Sequence, residues 1–336
     1  MQVIIPLAGK GTRLRPHTHL VPKPLLKVAG RPVMDWVMDR LEGLDITELI
    51  FITGHLKEQV EDFARSHYRI PSRYIEQKVQ DGTAGAINLA RPYVKGPVLI
   101  IFVDTVFEAD LTVINRTDAD GIIWAKEVED YQRFGVVVTD AQGYMTRIVE
   151  KPSTPISRLA NIGLYYIRDT TSLWKGIDHV LANPANKGEW YLTDAFQWMI
   201  EHGKRILTAE VGGWYDCGKL DTLLETNQIL LEKGAARRVD YPGVTIHDPV
   251  YIEDGVTIEQ SEVGPNVSIE QGSRITGSRL RNSIVGRDAR LNRVELDGSL
   301  LGSGVIVDGL QGSASIGDQS EVTAALSSPR KAGGKV

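Results

Sequence analysis

The 336-residue sequence contains one cysteine, Cys217, and it has neither a long apolar run nor an excess of basic residues. A single cysteine excludes an internal disulfide framework and any zinc site built from several cysteines. No apolar stretch approaches the roughly 20 residues that cross a bilayer, and the chain opens directly on a strand-like run without a basic leader. We therefore expect a cytoplasmic protein with no membrane partner, in which Cys217 is an incidental buried thiol.

The charge balance argues against nucleic acid as a partner. The formal net charge is −5, and the lysines and arginines are scattered along the chain instead of lining one element. The length exceeds the usual range of a single domain, which predicts two domains.

Apolar strand-like runs alternate with helical patterns over the first two thirds of the chain. The predicted strands are 2–7, 48–53, 73–76, 98–103, 121–128, 135–139, 144–150 and 161–167. The predicted helices are 33–44, 58–66, one opening near Thr83, 171–181 and 192–202. This βαβ rhythm predicts a Rossmann-like α/β domain with a mostly parallel sheet.

After about Lys233 the pattern changes to short aliphatic beats separated by Gly, Asp, Ser and Asn. The aliphatic residues stand six apart within four sets, which are Ile246, Ile252 and Ile258; Val263, Ile269 and Ile275; Val285 and Leu291; and Leu301 and Val307. This hexapeptide beat predicts a parallel β-helix, with a string of antiparallel hairpins as the alternative. The predicted domains are 1–238 and 239–326, followed by a small, polar, basic tail at 327–336 that we expect to be disordered.

The segment 7–25, LAGKGTRLRPHTHLVPKPL, combines glycines with basic side chains directly after the first predicted strand. Gly9 and Gly11 permit positive φ and a close approach of backbone N–H groups to phosphate oxygens. The Arg13 guanidinium can fork onto two such oxygens, and Lys23 adds a point charge. The segment fits neither the dinucleotide fingerprint nor the Walker motif. It therefore predicts a different kind of triphosphate-binding turn.

The segment resembles the signature of the sugar-phosphate nucleotidyltransferases, GGxGTRLxPLTxxxPKPL, with Lys10 in place of the second glycine. Members of that family join a nucleoside triphosphate to a sugar 1-phosphate and release pyrophosphate. The resemblance implies that Arg13 stabilises charge on the leaving pyrophosphate and that Lys23 is a second phosphate-binding cation. It also implies a left-handed winding of the β-helix, as in the tails of several members. The nucleotide-binding residues implied for the turn are Leu7, Ala8, Gly9, Gly11 and Thr12.

Asp104 follows the predicted strand 98–103, at an edge of the sheet where open α/β folds bind ligands. The resemblance implies that Asp104 binds a metal, although Val103 stands where the family has glycine and Thr105 where Asn, Asp or His is usual. Mg²⁺ prefers carboxylates together with phosphate oxygens, so Mg²⁺ is the expected cofactor.

Asp216 lies in GGWYDCGKLDTLLETN, which resembles the family segment WxDxGTPxxLLxAN that supplies the second metal-binding aspartate. Trp214 and Gly218 fit that pattern, whereas Lys219 and Leu220 replace Thr-Pro. An aspartate near a helix start is otherwise a capping residue.

The segment 77–85, QKVQDGTAG, is the expected base site. The resemblance implies that Gly82 contacts the base ring, with Thr83 beside it. It also implies that Gln77 reads a pyrimidine edge, because its amide has both a donor and an acceptor. This favours dTTP or UTP.

Glu150, Lys151 and Pro152 match the family's EKP motif. The resemblance implies that Glu150 accepts hydrogen bonds from sugar hydroxyls and that Lys151 holds the sugar phosphate in line with the α-phosphorus. Asp194, in GEWYLTDA, is expected either to start a helix or to join the site. The further sugar-pocket positions implied are Gly135, Asn161, Gly163 and Glu189.

The sequence is thus interpreted as a sugar-1-phosphate nucleotidyltransferase, with glucose 1-phosphate as the favoured second substrate. GTP with mannose 1-phosphate, or a CTP-dependent reaction, stays open. The alternative is a catalytically silent regulatory protein, which the departures at Val103 and Lys219 favour and the full set of acids and cations disfavours. We expect the β-helix to mediate homo-oligomer contacts or regulation, since it is short for an acetyltransferase and His247 is its only histidine.

Overall fold

The computed structural model describes residues 1–186 and 188–324, and the predicted tail at 327–336 lies outside them. The chain forms two compact units. The first contains residues 1–11, 21–25 and 33–216, and the second contains 12–20, 26–32 and the chain from Cys217 onward. The signature segment is therefore shared between the units. Within the described ranges, no helix is both long and apolar enough to span a bilayer.

The first 230 residues form thirteen strands and six α-helices. In chain order they are β1 (Gln2–Pro6), β2 (Lys27–Val28), β3 (Arg31–Pro32), α1 (Val33–Met38), β4 (Glu48–Thr53), α2 (Lys57–His67), β5 (Ser72–Glu76), α3 (Thr83–Asn88), β6 (Val98–Ile101), β7 (Thr105–Glu108), β8 (Gly121–Glu127), β9 (Gly135–Thr139), β10 (Met145–Glu150), β11 (Leu159–Ile167), α4 (Thr170–Ala182), α5 (Leu192–Glu201), β12 (Ile206–Glu210), β13 (Gly213–Asp216) and α6 (Leu220–Leu230). The predicted helix 33–44 is shorter than expected, because a 3₁₀ turn at Asp39–Leu41 follows α1.

The first unit is built on a nine-stranded sheet in the order β10-β9-β11-β6-β1-β4-β5, with β8 joining β11 to β12. The strands β6, β1, β4 and β5 run parallel, as do β8 and β12, whereas β11 runs antiparallel to both β6 and β8. The predicted α/β class with a mostly parallel sheet is confirmed. Its parallel centre brings the carboxyl ends of β1, β4 and β6 to one edge.

Both faces of this sheet are covered. On β1, Ile4 belongs to a core cluster that includes Leu173 of α4 and Phe196 of α5, while Val3 and Ile5 belong to another that includes Met34 of α1. Strands buried on both faces read as continuous apolar runs, which is why β1 and β4 are evident in the sequence. This packing fixes the sheet edge from which the candidate site is built.

The described part of the second unit after α6 contains fifteen short strands. They are β14 (Thr245–Ile246), β15 (Val250–Ile252), β16 (Thr257–Glu259), β17 (Glu262–Val263), β18 (Val267–Ile269), β19 (Arg274–Thr276), β20 (Arg279–Arg281), β21 (Ile284–Val285), β22 (Arg290–Asn292), β23 (Glu295–Asp297), β24 (Leu300–Leu301), β25 (Ile306–Asp308), β26 (Gln311–Gly312), β27 (Ser315–Ile316) and β28 (Glu321–Thr323).

Each of the first twelve of these strands pairs in parallel with the third strand after it, giving three five-stranded sheets. This is the predicted β-helix, and the hairpin alternative is wrong. Every predicted aliphatic beat is buried, and Leu280 and Leu296 continue the column that begins at Ile246 and Val263. The six-residue spacing missed those two leucines because each stands five residues, not six, after the preceding beat residue, Ile275 or Leu291. The left-handed winding stays a prediction.

Two N-terminal segments pack within this second unit. Lys27 lies between two carboxylates on neighbouring coils, 2.8 Å from Glu253 Oε1 and 3.1 Å from Glu270 Oε2. Burial alone would lower the pKa of Lys27, but these carboxylates raise it. The ring of His17 is buried, with Nε2 3.0 Å from Ser315 Oγ. The residues between Gly11 and the second half of the signature are therefore held by the β-helix.

Candidate active site

The signature turn begins where β1 ends. The backbone N–H of Leu7 donates to Ile52 O at 2.7 Å, and Gln80 Nε2 donates to Ala8 O at 2.6 Å. Gly11 adopts a positive φ of 60°, whereas Gly9 has open space where a Cβ would stand. Hydrogen bonds thus fix the start of the turn next to β1, and the space beside Gly9 is not filled by protein atoms.

The rest of the signature forms short 3₁₀ turns. Thr12 and Arg13 lie in the turn Thr12–Leu14, which belongs to the second unit. Lys23 begins the turn Lys23–Leu25 in the first unit. The signature thereby places its two predicted phosphate cations on different compact units.

Asp104 and Asp216 are brought together by a two-stranded ribbon that the sequence did not predict. β7 and β13 pair antiparallel, and their register sets Thr105 opposite Asp216. Asp104 directly precedes Thr105, so the two acids meet at one end of the ribbon. A salt bridge of 3.3 Å joins Lys23 Nζ to Asp104 Oδ2, and one of 3.5 Å joins Arg133 to Asp216. Two carboxylates and two cations therefore meet in this part of the first unit.

The departures from the family pattern are accommodated locally. The side chain of Val103 is 4% exposed and packs in the core, whereas the Asp104 side chain is 46% exposed. Val103 and Asp104 lie in the turn between β6 and β7, and this turn buries Val103 and exposes Asp104 without a preceding glycine. In the second unit, the backbone N–H of Lys219 donates to Thr222 Oγ1 at 3.3 Å, so α6 is capped in the absence of the usual Thr-Pro.

The acids fit a divalent cation that completes its shell with ligand oxygens. Among the residues that the structure describes, no three His, Cys, Asp or Glu side chains are grouped closely enough to bind a metal. Asp104 and Asp216 supply two hard oxygen donors, which suits Mg²⁺ bound mainly through phosphate and water. A metal at this position therefore depends on a bound phosphate ligand.

Backbone and side-chain hydrogen bonds join the predicted base loop, 77–85, to the chain around the start of α5. The backbone N–H of Leu192 donates to Thr83 Oγ1 at 2.8 Å, and Ala84 N donates to Trp190 O at 2.9 Å. Gly82 has a φ of 112°, and a Cβ there would lie 2.4 Å from Trp190 O. Gln77 is 8% exposed, so its side chain is buried in the protein and not solvated.

The predicted sugar pocket is a compact group of polar side chains on β9, β10 and β11. Asn161 Nδ2 donates to Gly135 O at 2.8 Å, and Thr193 Oγ1 donates to Glu150 Oε2 at 3.1 Å. A Cβ on residue 135 would lie 2.3 Å from Asn161 Nδ2 and 2.8 Å from Glu150 Oε2. Gly135 is therefore the residue that lets the amide and the carboxylate converge. Gly163 N lies 3.4 Å from Asn161 Oδ1.

Glu150 and Lys151 occupy different environments. Burial raises the pKa of Glu150, and the Lys151 ammonium at 3.7 Å opposes this shift. Lys151 adopts a positive φ of 44°, and its N–H donates to Phe134 O at 2.9 Å. Its Nζ lies 4.9 Å from the centre of the Tyr191 ring, and its side chain is 47% exposed. Lys151 is thus oriented by its backbone and accessible to an anion.

Glu189 and Asp194 line a cavity of about 210 Å³ between α4 and α5, together with Trp190 and Trp198. Burial raises the pKa of Asp194. α5 begins at Leu192, with Tyr191 at the N-cap, so Asp194 lies in the first turn. Glu189 also contributes to raising the pKa of Tyr191, after the larger effect of burial.

Three side chains at this site, Arg133, Thr193 and Asp81, make contacts that the sequence did not predict. Arg133 pairs with Asp216, Thr193 donates to Glu150, and Gln77 Nε2 lies 2.9 Å from Asp81 Oδ1. Each of the three lies within two residues of a position that the family pattern did indicate. Which side chain each one contacts depends on the three-dimensional fold, and a linear sequence pattern does not contain that information.

Comparison with known proteins gives a consistent result. A family profile described as nucleotidyl transferase matches residues 2–233. The chain is similar to the bifunctional protein GlmU of Methanococcus aeolicus, at 33% identity over 77% of this chain. That alignment spans 62% of the GlmU length, which is less than two thirds of the relative. It is also similar to the glucose-1-phosphate thymidylyltransferase of Streptomyces antibioticus, at 30% identity over 91% of this chain and 93% of the relative.

Among solved structures, the chain resembles a UDP-glucose pyrophosphorylase complexed with UDP-glucose. The TM-score is 0.63 at 23% identity, and the match covers 69% of this chain and 98% of the other. At this identity the likeness shows the fold alone.

Proposed function

The chain belongs to the nucleotidyl transferase family, and on that premise we propose that it is a sugar-1-phosphate nucleotidyltransferase. It joins dTTP or UTP to a hexose 1-phosphate, with glucose 1-phosphate favoured, and gives a nucleoside diphosphate sugar and pyrophosphate. The observation that carries the proposal is the meeting of Asp104 and Asp216 across the β7–β13 ribbon, with Lys23 paired to Asp104. Two acids that can bind a metal, beside a cation that can bind phosphate, suit this reaction. Its transition state is stabilised mainly by neutralising the charge of the phosphates.

Asp104 and Asp216 would hold a divalent metal, proposed to be Mg²⁺, which neutralises phosphate charge when bound. A phosphate oxygen of the sugar 1-phosphate attacks the α-phosphorus of the triphosphate. The bond from the α-phosphorus to the bridging oxygen breaks, and pyrophosphate leaves with the electron pair. The sugar phosphate is already an anion near neutral pH, so the attack needs no general base.

The chain's own residues orient the two substrates and balance their charge. Lys151 is exposed enough to hold the sugar phosphate, and its backbone bond to Phe134 fixes where its side chain starts. Arg13 and Lys23 offset the charge that develops on the pyrophosphate. Positioning of this kind can supply a large part of the rate enhancement.

The sugar subsite is suited to hydroxyl groups. Glu150 accepts from Thr193 and keeps a second oxygen near Lys151, and Asn161 is fixed through Gly135. These groups present a carboxylate and polar backbone atoms to an uncharged hexose ring. The name of the Streptomyces antibioticus relative, a glucose-1-phosphate thymidylyltransferase, supports the same choice of base and sugar.

The test is a matrix of five nucleoside triphosphates against several sugar 1-phosphates, with Mg²⁺ and the purified chain, scored by pyrophosphate release. We expect turnover with UTP or dTTP and glucose 1-phosphate. Turnover should be lost in Asp104→Asn and kept in Asp110→Asn, an exposed acid paired with Arg116. A blank matrix with calorimetric binding of nucleotide sugars would instead support the catalytically silent regulatory alternative.

A role for the β-helix in homo-oligomer formation is also proposed, because stacked coils present regular exposed faces. Light scattering on the purified chain would test it, and a monomer at all accessible concentrations would contradict it.

A further inference from the structure

Two neighbouring groups, both of which are hydrogen-bond acceptors, fix the orientation of the Gln77 carboxamide. Its Nε2 lies 2.9 Å from Asp81 Oδ1 and 3.3 Å from Gly82 O. An ionised carboxylate and a backbone carbonyl can only accept hydrogen bonds. The atom that faces both of them must therefore be the amide nitrogen, and the opposite assignment would set oxygen against oxygen.

This orientation leaves the amide oxygen available. Within the described part of the chain, Gln77 Oε1 accepts no hydrogen bond. Uracil and thymine carry an N–H donor at ring position 3, whereas cytosine has a bare acceptor nitrogen there. A carbonyl oxygen held toward that edge pairs with the first two bases and opposes the third.

Asp81 is itself held in place by the surrounding backbone. Trp190 N donates to Asp81 O at 2.8 Å, and Asp81 N donates to Val79 O at 3.1 Å. A Cβ on Gly85 would lie 2.2 Å from Asp81 Oδ1, so the carboxylate occupies space that only glycine leaves open. The side chain therefore has little freedom to release Gln77.

We propose that Asp81 is a positioning residue for base selection, which holds the Gln77 amide with its oxygen toward the base and so favours uracil and thymine over cytosine. This inference rests on the proposed function and names the residue that sets its base preference. Asp81 need not touch the nucleotide, because it acts through Gln77. Gly85 supports the same arrangement by leaving room for the carboxylate.

UTP and CTP form the sharpest pair of probes, because they differ only at ring positions 3 and 4. The full-length chain would be assayed for kcat/KM with each, at fixed glucose 1-phosphate. We expect the wild type to prefer UTP. In Asp81→Ala the amide is free to rotate, and the UTP-to-CTP ratio should fall about ten- to a hundredfold, as for one misoriented buried hydrogen-bonding group.

Asp81→Asn provides a second variant of the same shape, and it should lower the ratio less because its oxygen can still accept from Gln77. Gly85→Ala, which crowds the carboxylate, should shift the ratio in the direction of Asp81→Ala. Asp110→Ala is the matched control and should leave the ratio unchanged. If Asp81→Ala lowers both kcat/KM values equally, Asp81 only anchors the loop and the proposal is wrong.

Failure of the proposed function can be told apart from failure of this inference. Absence of turnover in the wild type with every triphosphate would overturn the former. Calorimetric titration of wild type and Asp81→Ala with UTP and CTP then still measures base preference without catalysis. A wild type that binds both nucleotides equally, or prefers CTP, overturns the latter.

Discussion

Lys23 Nζ lies 3.3 Å from Asp104 Oδ2, which joins a signature cation to an acid that follows β6. The two residues are 81 positions apart in the sequence, and the parallel centre of the sheet brings β1 and β6 side by side. A cation that can bind phosphate and an acid that can bind metal thus satisfy one another in the structure. Ligand binding would redistribute these charges onto a triphosphate and its metal.

Lys23→Gln is expected to lower kcat/KM for the triphosphate about 10²- to 10³-fold, because one charged donor to the developing pyrophosphate is lost. The KM for the sugar phosphate should change little. Steady-state pyrophosphate release would measure both values. Lys95→Gln is the matched control, since Lys95 is exposed and its backbone N–H bonds to Gln2, at the opposite end of β1. Similar losses in the two variants would contradict a specific role for Lys23.

The metal requirement should depend on both acids of the ribbon. Removal of divalent cations by chelation is expected to abolish turnover, and added Mg²⁺ should restore it. Asp216→Asn should raise the Mg²⁺ concentration needed for half-maximal rate by tenfold or more, and Asp104→Asn should abolish turnover at every Mg²⁺ concentration, because each removes a hard anionic donor. Asp110→Asn should leave that concentration unchanged. A full rate in the presence of chelator would contradict this prediction.

The elements and residues that build the site are not equally evident in the sequence. The strands β1 and β4 and the helices α2, α4 and α5 are evident from periodicity alone, and the β-helix is evident from its six-residue beat. The ribbon of β7 and β13 is not, because each strand is four residues long and its partner lies more than a hundred residues away. Without that ribbon, no local pattern places Asp104 beside Asp216.

Contacts of side chains were the least predictable part of the site. The EKP motif marked Glu150 and Lys151, but it gave no sign that Thr193 donates to Glu150 or that Gly135 makes room for Asn161. The loop 77–85 likewise pointed to Gln77 and not to Asp81, because the orientation of an amide depends on what surrounds it in three dimensions. Spacing identifies candidates, whereas packing determines their partners.

Lys151→Gln is expected to raise the KM for the sugar 1-phosphate about 10- to 100-fold, with a smaller effect on the KM for the triphosphate. Its ammonium lies near Glu150 and over Tyr191, and it is the exposed cation of this pocket that an incoming phosphate would meet. Loss of one charged hydrogen-bond donor costs about 1.5–3 kcal/mol, which corresponds to that range. Initial rates at varied sugar phosphate would measure it.

The control for Lys151 is Lys175→Gln, on an exposed position of α4. Both variants remove one positive charge from the same unit. An equal rise in KM in both would indicate a general field effect and would argue against direct contact between Lys151 and the sugar phosphate.

The stability of the chain is expected to fall below about pH 6.5 because of His17. Burial lowers the pKa of His17 from its usual 6.5, and Asp318 opposes this shift. In the unfolded chain His17 binds a proton near pH 6.5, whereas in the folded chain it binds that proton only at a lower pH. Acid therefore favours the unfolded state. His17→Gln, which can still bond to Ser315, should reduce this pH dependence. Urea unfolding between about pH 7.5 and pH 5 measures it.

His67→Gln is the comparison for His17, because His67 lies on the exposed face of α2. It should leave the slope of unfolding free energy against pH as it is in the wild type. Parallel profiles for wild type and His17→Gln would show that the buried ring does not contribute to acid sensitivity.

In the proposed reaction, a sugar phosphate attacks the α-phosphorus of a nucleoside triphosphate at the site that contains Lys23 and Asp104. The most direct measurement incubates the chain with glucose 1-phosphate and UTP labelled at either the α- or the β-phosphorus, and follows the label by chromatography. We predict that the α-label enters UDP-glucose and the β-label leaves in pyrophosphate, with both transfers lost in Asp104→Asn. Release of the α-label as UMP, or no transfer of label with any sugar phosphate, would contradict this reaction.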